Sequence, residues 1–243
     1  KNDNELPALI KALDGKFIKP VPGGDIIRSP EILPTGRNMH AFDPFRMPTT
    51  FACKQGFEQA QMLLDKYDGI PKSLALVLWG SDNIKSDGTQ IAQALALIGA
   101  KPRFDSFGRL CGADLIELSD LGRPRIDVMV TLSGIFRDLL PLQIKTIAEA
   151  AFLAASANEP LEKNFIRAHA LEDCKKNNCD LQTAALRVFG NSEGTYGANV
   201  NHLIENSCWE DEEEIANVYS KRKGFAYGVD GKPVRNELVM ENV

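Results

Sequence analysis

The chain is poor in cysteine. Its five, Cys53, Cys111, Cys174, Cys179 and Cys208, are odd in number and scattered along 243 residues, which argues against a disulfide framework as the basis of the fold. Cys174 and Cys179 form the one close pair. No second pair or neighbouring histidine completes a tetrahedral zinc set, so reduced thiols are expected. An excess of positive charge is also lacking: 28 Lys and Arg against 33 Asp and Glu give a net charge of -5. That argues against a general binder of nucleic-acid backbone. No apolar run approaches the roughly 18 to 20 residues that span a bilayer. The opening KNDNELPALIKALDGKF has no long apolar core of a secretory signal, so an interior aqueous compartment is expected. Nucleotide fingerprints are missing too, with neither GxxxxGK[ST] nor GxGxxG. GVDGKP is too short for a phosphate loop and has no Ser or Thr after its lysine. The chain is therefore not expected to bind or hydrolyse ATP. HExxH and GxSxG are likewise absent.

What is present is an ordinary globular composition, 44% hydrophobic and 25% charged, in a chain long enough for one large domain or two small ones. Asn4 is placed to cap a short helix through Leu13, ended by Gly15. PVPGGDIIRSPEILPTG is dense in proline and glycine and reads as loop. Phe57, Ala60, Leu64 and Tyr67 recur at helical spacing across Phe51 to Tyr67, and Asp68-Gly69 with Pro71 ends that helix. SLALVLWG, Ser73 to Gly80, is a continuous apolar run that reads as a strand buried on both faces. GTQIAQALALIGA is a helix with a stop at Gly99. KPRFD and ADLIELSDLGRP are extended, and RIDVMVTLSG, Arg125 to Gly134, is a second buried strand. IFRDLLPLQIKTIAEAAFLAAS is a long helix in which Pro141 fits only the first turn or a kink. Asn158, Glu159 and Pro160 signal a helix to about Lys176. Asp180 caps LQTAALRVF, stopped by Gly190. WEDEEEIANVYSKRKG starts acidic and ends basic, as the helix dipole favours.

This alternation predicts an α/β fold: a parallel sheet with helices on both faces, followed by a mostly helical C-terminal portion. Residues 1–50 form an irregular leading segment, 51–143 the α/β sheet core, and 144–243 a mainly helical portion of the same domain.

Ligands of open parallel sheets bind beyond the carboxyl ends of the strands. One such end is Trp79-Gly80-Ser81-Asp82-Asn83, where Trp79 and Asp82 are candidate substrate contacts. The other is Ser133-Gly134, followed by Phe136-Arg137-Asp138. Ser133, Gly134 and Arg137 have the parts of an anion site: a small turn, amides at a helix start and a cation one turn in. The same residues also read as a helix cap and an arginine paired with Asp138 or another acid. A third cluster, GNSEGTYGANVNHLIENS, holds Glu193, Tyr196, Asn199, Asn201 and His202 in a glycine-broken loop that enters a helix. Glu193 and His202 are candidates for metal binding or proton transfer, and each also reads as a cap or surface residue. Finally, LPTGRNMHAFDP sets Arg37, Asn38, His40 and Asp43 beside Met39, Ala41 and Phe42 in a proline-braced loop. Such a loop is either a binding site or a segment satisfying its own backbone.

Several phrases together resemble one family. LPTGRNMHAFDPFRMPT, ALVLWGSDNIKSDG, IAQALALIGAKPRFDSFGRLCGADLI, LGRPRIDVMVTLSGIFRDLLPLQ, NEPLEKNFIRAHAL and TAALRVFGNSEGTYGANVN look like the large, H-type subunits of magnesium chelatase. The large subunits of cobaltochelatase share the broader pattern. LSGIFRDLLPLQ and IAQALALIGAKPRFDSFGRL look closest to the bacteriochlorophyll type. The likeness runs in order over nearly all of residues 5–235. Family subunits are several times longer, so the chain is expected to be an internal fragment or a separately built domain, inactive alone.

The resemblance implies a ligase of (bacterio)chlorophyll biosynthesis and photosynthesis that binds protoporphyrin IX and receives Mg2+ as substrate. ATP is hydrolysed by partner AAA+ subunits, I and D, in the bacterial cytoplasm or the chloroplast. It gives roles to the candidates. Arg37 would hold a propionate and Phe42 would lie against the ring. His40 and Asp43, with Glu193 and His202, would handle protons, and Asp43 and Glu193 the hydrated metal. Trp79, Asp82, Ser133, Gly134, Arg137 and Tyr196 would contact the macrocycle. Two other readings stand beside this one: a cobalt-inserting paralogue acting on a corrin precursor, and a non-catalytic docking domain for the ATPase subunits.

Overall fold

The computed structural model describes residues 3–22, 26, 30–39 and 43–236. It falls into two compact units, Lys1–Asp43 and Pro44–Val243. In the first, helix α1 (Glu5–Leu13) starts where the Ala8 amide donates to the Asn4 carbonyl at 3.0 Å. Gly15 follows with φ +67°, the left-handed stop anticipated for it. Strands β1 (Val21–Pro22) and β2 (Asn38–Met39) pair in parallel.

The second unit begins with α2 (Thr50–Leu64), capped by the Thr49 side chain, which accepts from the Ala52 amide. Strand β3 (Ser73–Leu78) leads into the short α3 (Gly80–Lys85), and α4 (Thr89–Ile98) ends at Gly99, φ +83°. Next come β4 (Ala100–Phe104), β5 (Leu110–Leu115), the single turn α5 (Leu118–Leu121) and β6 (Asp127–Leu132). Helix α6 (Gly134–Leu139) is followed by α7 (Pro141–Ser156), with Pro141 in its first turn. The remainder holds α8 (Phe165–Asn177), α9 (Leu181–Ala184), β7 (Val188–Gly190), α10 (Val200–Glu205), α11 (Glu212–Lys223), β8 (Phe225–Tyr227) and β9 (Pro233–Arg235).

The central sheet has the order β3-β6-β7-β8-β9. β3, β6 and β7 are parallel, in a register that sets Ser73 opposite Asp127 and Leu78 opposite Leu132, and β8 and β9 run antiparallel. This is the α/β architecture read from the alternating pattern, with helices flanking a mainly parallel sheet. Val128, Val130 and Leu132 of β6 are buried, as are Ile91, Leu95 and Ile98 of α4 and Ile144 and Ile147 of α7. Each such side chain contributes about 1.5–3 kcal/mol of burial. Among the described residues, no helix is long and apolar enough to cross a membrane.

Four local expectations are corrected. β3 is not buried on both faces: it is the edge of the sheet, and Ala75 and Val77 are exposed. ADLIELSDLGRP is extended only as far as Leu115, and Leu118–Leu121 is a helical turn; the strands at 100–104 and 110–115 pair with each other as an antiparallel hairpin. Its turn is held by Asp105, whose Oδ1 accepts from the Phe107 and Arg109 amides, each at 2.8 Å. The helix capped by Asp180 lasts one turn, and Val188–Gly190 is a strand instead. Arg187 is the reason: fully buried, it reaches Asp127 at the start of β6 with Nε at 2.6 Å and Nη2 at 3.0 Å. That pairing draws the chain alongside β6, where β-branched Val188 and aromatic Phe189 suit an extended backbone. The cap of α8 is Asn164, which accepts from the Arg167 amide, rather than Asn158. Glu159 pairs with the buried Arg125 at 2.8 Å.

Candidate functional site

The carboxyl ends of β3 and β6 lie side by side, and one residue ties them together. Ser133 Oγ accepts from the Phe136 amide, capping α6 at 3.2 Å, and from the Gly80 amide at the start of α3, at 3.1 Å. The two short helices are in contact there. A Cβ at Gly80 would sit 2.7 Å from the Phe136 nitrogen, so this crossing requires glycine. Beside it opens a mostly apolar cavity of about 450 Å³, lined by Val77, Trp79, Gly80, Ile135, Tyr196, Lys223 and their neighbours. Trp79, Ile135 and Tyr196 are each about half exposed, an apolar surface of the kind that marks a binding groove.

Tyr196 is held in place by three contacts. Its ring lies on Gly134, where any Cβ would overlap it. Its hydroxyl donates to Asp138 Oδ2 at 2.6 Å, and the Arg137 guanidinium lies 5.1 Å from the ring centroid. Arg137 is buried and turned into the protein. Its Nε donates to Asp138 at 2.8 Å, and its Nη1 donates to the Ser192 and Thr195 carbonyls at 2.6 and 2.7 Å. The loop is pinned further by Asn191 Nδ2 donating to Gly197 O at 2.8 Å and by Tyr227 Oη donating to Asn191 O at 2.6 Å. The hydrogen bond from Arg137 holds the Asp138 carboxyl below the usual carboxylate range, and the bond to Asp138 pushes the Tyr196 phenol up.

Helix α11 adds Tyr219 and Lys223 to the lining. Lys223 is buried and its Nζ donates to the Leu132 carbonyl at 2.8 Å. Burial lowers its pKa, and Arg137 and Arg222 lower it further.

Of the candidate substrate contacts, Trp79, Ser133, Gly134 and Tyr196 come together around this cavity. Arg137 stands behind it as the clamp of the loop 191–197. Asp82 is exposed on α3, Glu193 is exposed in the loop and His202 is exposed on α10; none of the three lines the cavity. Among the described residues, no group of three His, Cys, Asp or Glu side chains could hold a metal. In the first unit, Arg37 Nη2 and Nε donate to the Leu33 and Pro34 carbonyls of its own loop, at 3.1 and 3.3 Å. Asp43 is exposed. His40 and Phe42 lie outside the described residues. Ile135, Tyr219 and Lys223 were not among the candidates. Lys223 carried a signal: Ile215, Tyr219 and Lys223 recur at helical spacing, which puts the lysine on the inward face of α11.

The apolar cavity lies at the carboxyl ends of parallel strands, the place where open α/β sheets take their ligands. The CobN/Magnesium Chelatase family model matches residues 1–243, and the chain belongs to that family. It is 62% identical to the H-type magnesium-chelatase subunit of Cereibacter sphaeroides over 99% of its own length and 20% of that protein's. It is 46% identical to the chloroplastic magnesium-chelatase subunit ChlH of Oryza sativa subsp. indica, over 94% of its length and 17% of that protein's. The solved catalytic subunit of cobaltochelatase from Mycobacterium tuberculosis shares the fold with a TM-score of 0.82 and 37% identity, covering 98% of this chain and 21% of that one. The chain thus spans about a fifth of the length of the relatives it matches.

Proposed function

We propose that this chain forms one wall of the macrocycle site in a magnesium chelatase large subunit. The whole protein inserts Mg2+ into protoporphyrin IX, and partner AAA+ subunits, I and D, hydrolyse the ATP that drives the step. The observation that supports this reading is the apolar cavity bordered by Trp79, Ile135 and Tyr196, in a chain 62% identical to a magnesium-chelatase subunit. A flat ring needs apolar and aromatic walls, and these three side chains offer them. Insertion releases two pyrrole protons and needs oxygen donors that hold hydrated Mg2+ loosely. Those roles fall to the loop Leu33–Pro44, through His40 and Asp43, with Glu193 and His202 as further candidates. The reaction forms nitrogen–metal bonds at the expense of ATP, so the enzyme is a ligase.

A cobalt-inserting relative is the second reading, supported by the likeness to the cobaltochelatase subunit at 37% identity. The higher identity to magnesium chelatase subunits favours magnesium. Trp79→Ala in the whole protein tests the site. Quenching of porphyrin fluorescence should show an affinity about ten times lower, and the assembled complex should insert Mg2+ in preference to Co2+. Unchanged affinity would move the macrocycle elsewhere, and a preference for Co2+ would favour the second reading.

A further inference from the structure

The cavity has one feature that an apolar slot does not need. Lys223 is 8% exposed and lines it, and its single hydrogen bond among the described residues is to the Leu132 carbonyl. An ammonium has three donors. Two more cations lie close enough to disfavour its charge, Arg137 and Arg222. Arg137 Nη2 and Arg222 Nε are themselves buried with no hydrogen-bond partner among the described residues. Among those residues, Asp138 is the one carboxylate within ion-pair distance of any of the three, and it pairs with Arg137. This corner therefore carries three basic groups against one acid.

Such a surplus is unfavourable in a buried wall. A neutral donor would satisfy the Leu132 carbonyl without the repulsion. An anion entering the cavity removes the imbalance and uses the remaining ammonium protons. Most of the rest of the lining is apolar, with Ser81, Thr131 and Ser133 as small polar exceptions, so that anion must have a largely apolar body and a small charged end. A carboxylate fits this description better than a phosphate, whose higher charge and additional oxygens call for more donors than this corner offers.

We propose that Lys223 is the anchor for a carboxylate on the cavity's ligand, so that the cavity selects a flat apolar molecule bearing a carboxylic acid. This rests on the reading of the cavity as the macrocycle site, in which case the group is one propionate of the tetrapyrrole. The ring then lies against Trp79, Ile135 and Tyr196, and Lys223 fixes its rotation in the slot.

The test uses the whole protein and fluorescence titration with protoporphyrin IX and with its dimethyl ester. The wild type should bind the acid about tenfold to a hundredfold more tightly than the ester, the range of a charge-assisted hydrogen bond. Lys223→Met should lower affinity for the acid by a similar factor and leave that for the ester within about twofold. A wild type that does not distinguish acid from ester overturns the proposal even if the variant fails to fold. So do equal losses for both ligands in Lys223→Met, provided Trp79→Ala still weakens both, which leaves the cavity reading standing. If Trp79→Ala and Lys223→Met both leave both affinities unchanged, the cavity reading falls with the proposal.

Discussion

The ring of Tyr196 rests directly on the backbone of Gly134, with no room between them for a methyl group. The φ angle at Gly134 is not in the left-handed region, so alanine there is excluded by contact and not by backbone conformation. Gly134→Ala should displace the ring, break the 2.6 Å bond from its hydroxyl to Asp138 and misplace the loop that borders the cavity. The expected loss is about 1–3 kcal/mol, as for overpacking elsewhere. Thermal unfolding of the protein measures it, and Gly134→Ala combined with Tyr196→Ala should recover most of it. If the double variant is no more stable than Gly134→Ala, the contact is not the cause.

Arg137 holds the same loop by its carbonyls. Arg137→Ala should leave the Thr195 carbonyl without its donor, the Ser192 carbonyl with only the Thr195 amide and hydroxyl, and Asp138 without its cation, losing about 2–4 kcal/mol. Amide hydrogen exchange reads this locally: protection should fall across residues 191–198 and stay unchanged in β6. Unchanged exchange in the loop would mean that the loop is ordered by other contacts.

The residues differ in how plainly the sequence announced their places. Leu74 to Leu78 and Val128 to Leu132 were legible as strands because continuous apolar runs bounded by turn residues have few other uses. Gly99, Pro141 and Asp180 were legible because a left-handed stop, a first-turn proline and a side-chain cap are local. Val188–Gly190 was not, because a short apolar run fits either period, and the deciding contact, Arg187 with Asp127, lies between residues far apart in sequence. At the site, the strand-end rule pointed to Trp79, Ser133 and Gly134. It could not show that Arg137 turns inward, since a helix-start arginine serves equally as an anion ligand or a clamp. For Lys223 the helix dipole accounts for the charge of SKRKG when read without tertiary neighbours, and only its four-residue spacing from Tyr219 sets it apart.

Asp127 gives a prediction in pH. It is fully buried, and burial alone would raise its carboxyl. Arg187 and His169, whose Nδ1 lies 2.8 Å from Oδ2, outweigh that and hold it below the usual carboxylate range. A carboxyl depressed by folding contributes stability above its unfolded pKa, near 3.9. That contribution disappears as pH falls through the lower, folded value. Asp127→Asn should therefore destabilise the protein by about 3–5 kcal/mol at pH 7, as for a broken buried pair. Its gap from wild type should narrow below about pH 4. Denaturation midpoints at a series of pH values check both, and a gap independent of pH would show that charge is not what Asp127 contributes.

The loop Leu33–Pro44 yields the prediction closest to the chemistry. His40 and Asp43 stand three residues apart between prolines, one an imidazole base, the other a hard oxygen ligand for hydrated Mg2+. Arg37 braces the same loop through the Leu33 and Pro34 carbonyls, so the backbone's needs are partly met without either residue. If His40 accepts a pyrrole proton, His40→Asn in the whole protein should keep porphyrin affinity and thermal stability. It should slow Mg2+ insertion by about a hundredfold or more once the partner ATPase subunits and ATP are added. Asp43→Asn should slow the same step and raise the Mg2+ concentration needed for half-maximal rate, since a carboxylate that attracts the hydrated ion would be gone. The two readouts separate chemistry from scaffold. If both variants lose thermal stability while the folded remainder inserts Mg2+ at the normal rate, the loop is a structural brace and the proton and metal work belongs to other residues.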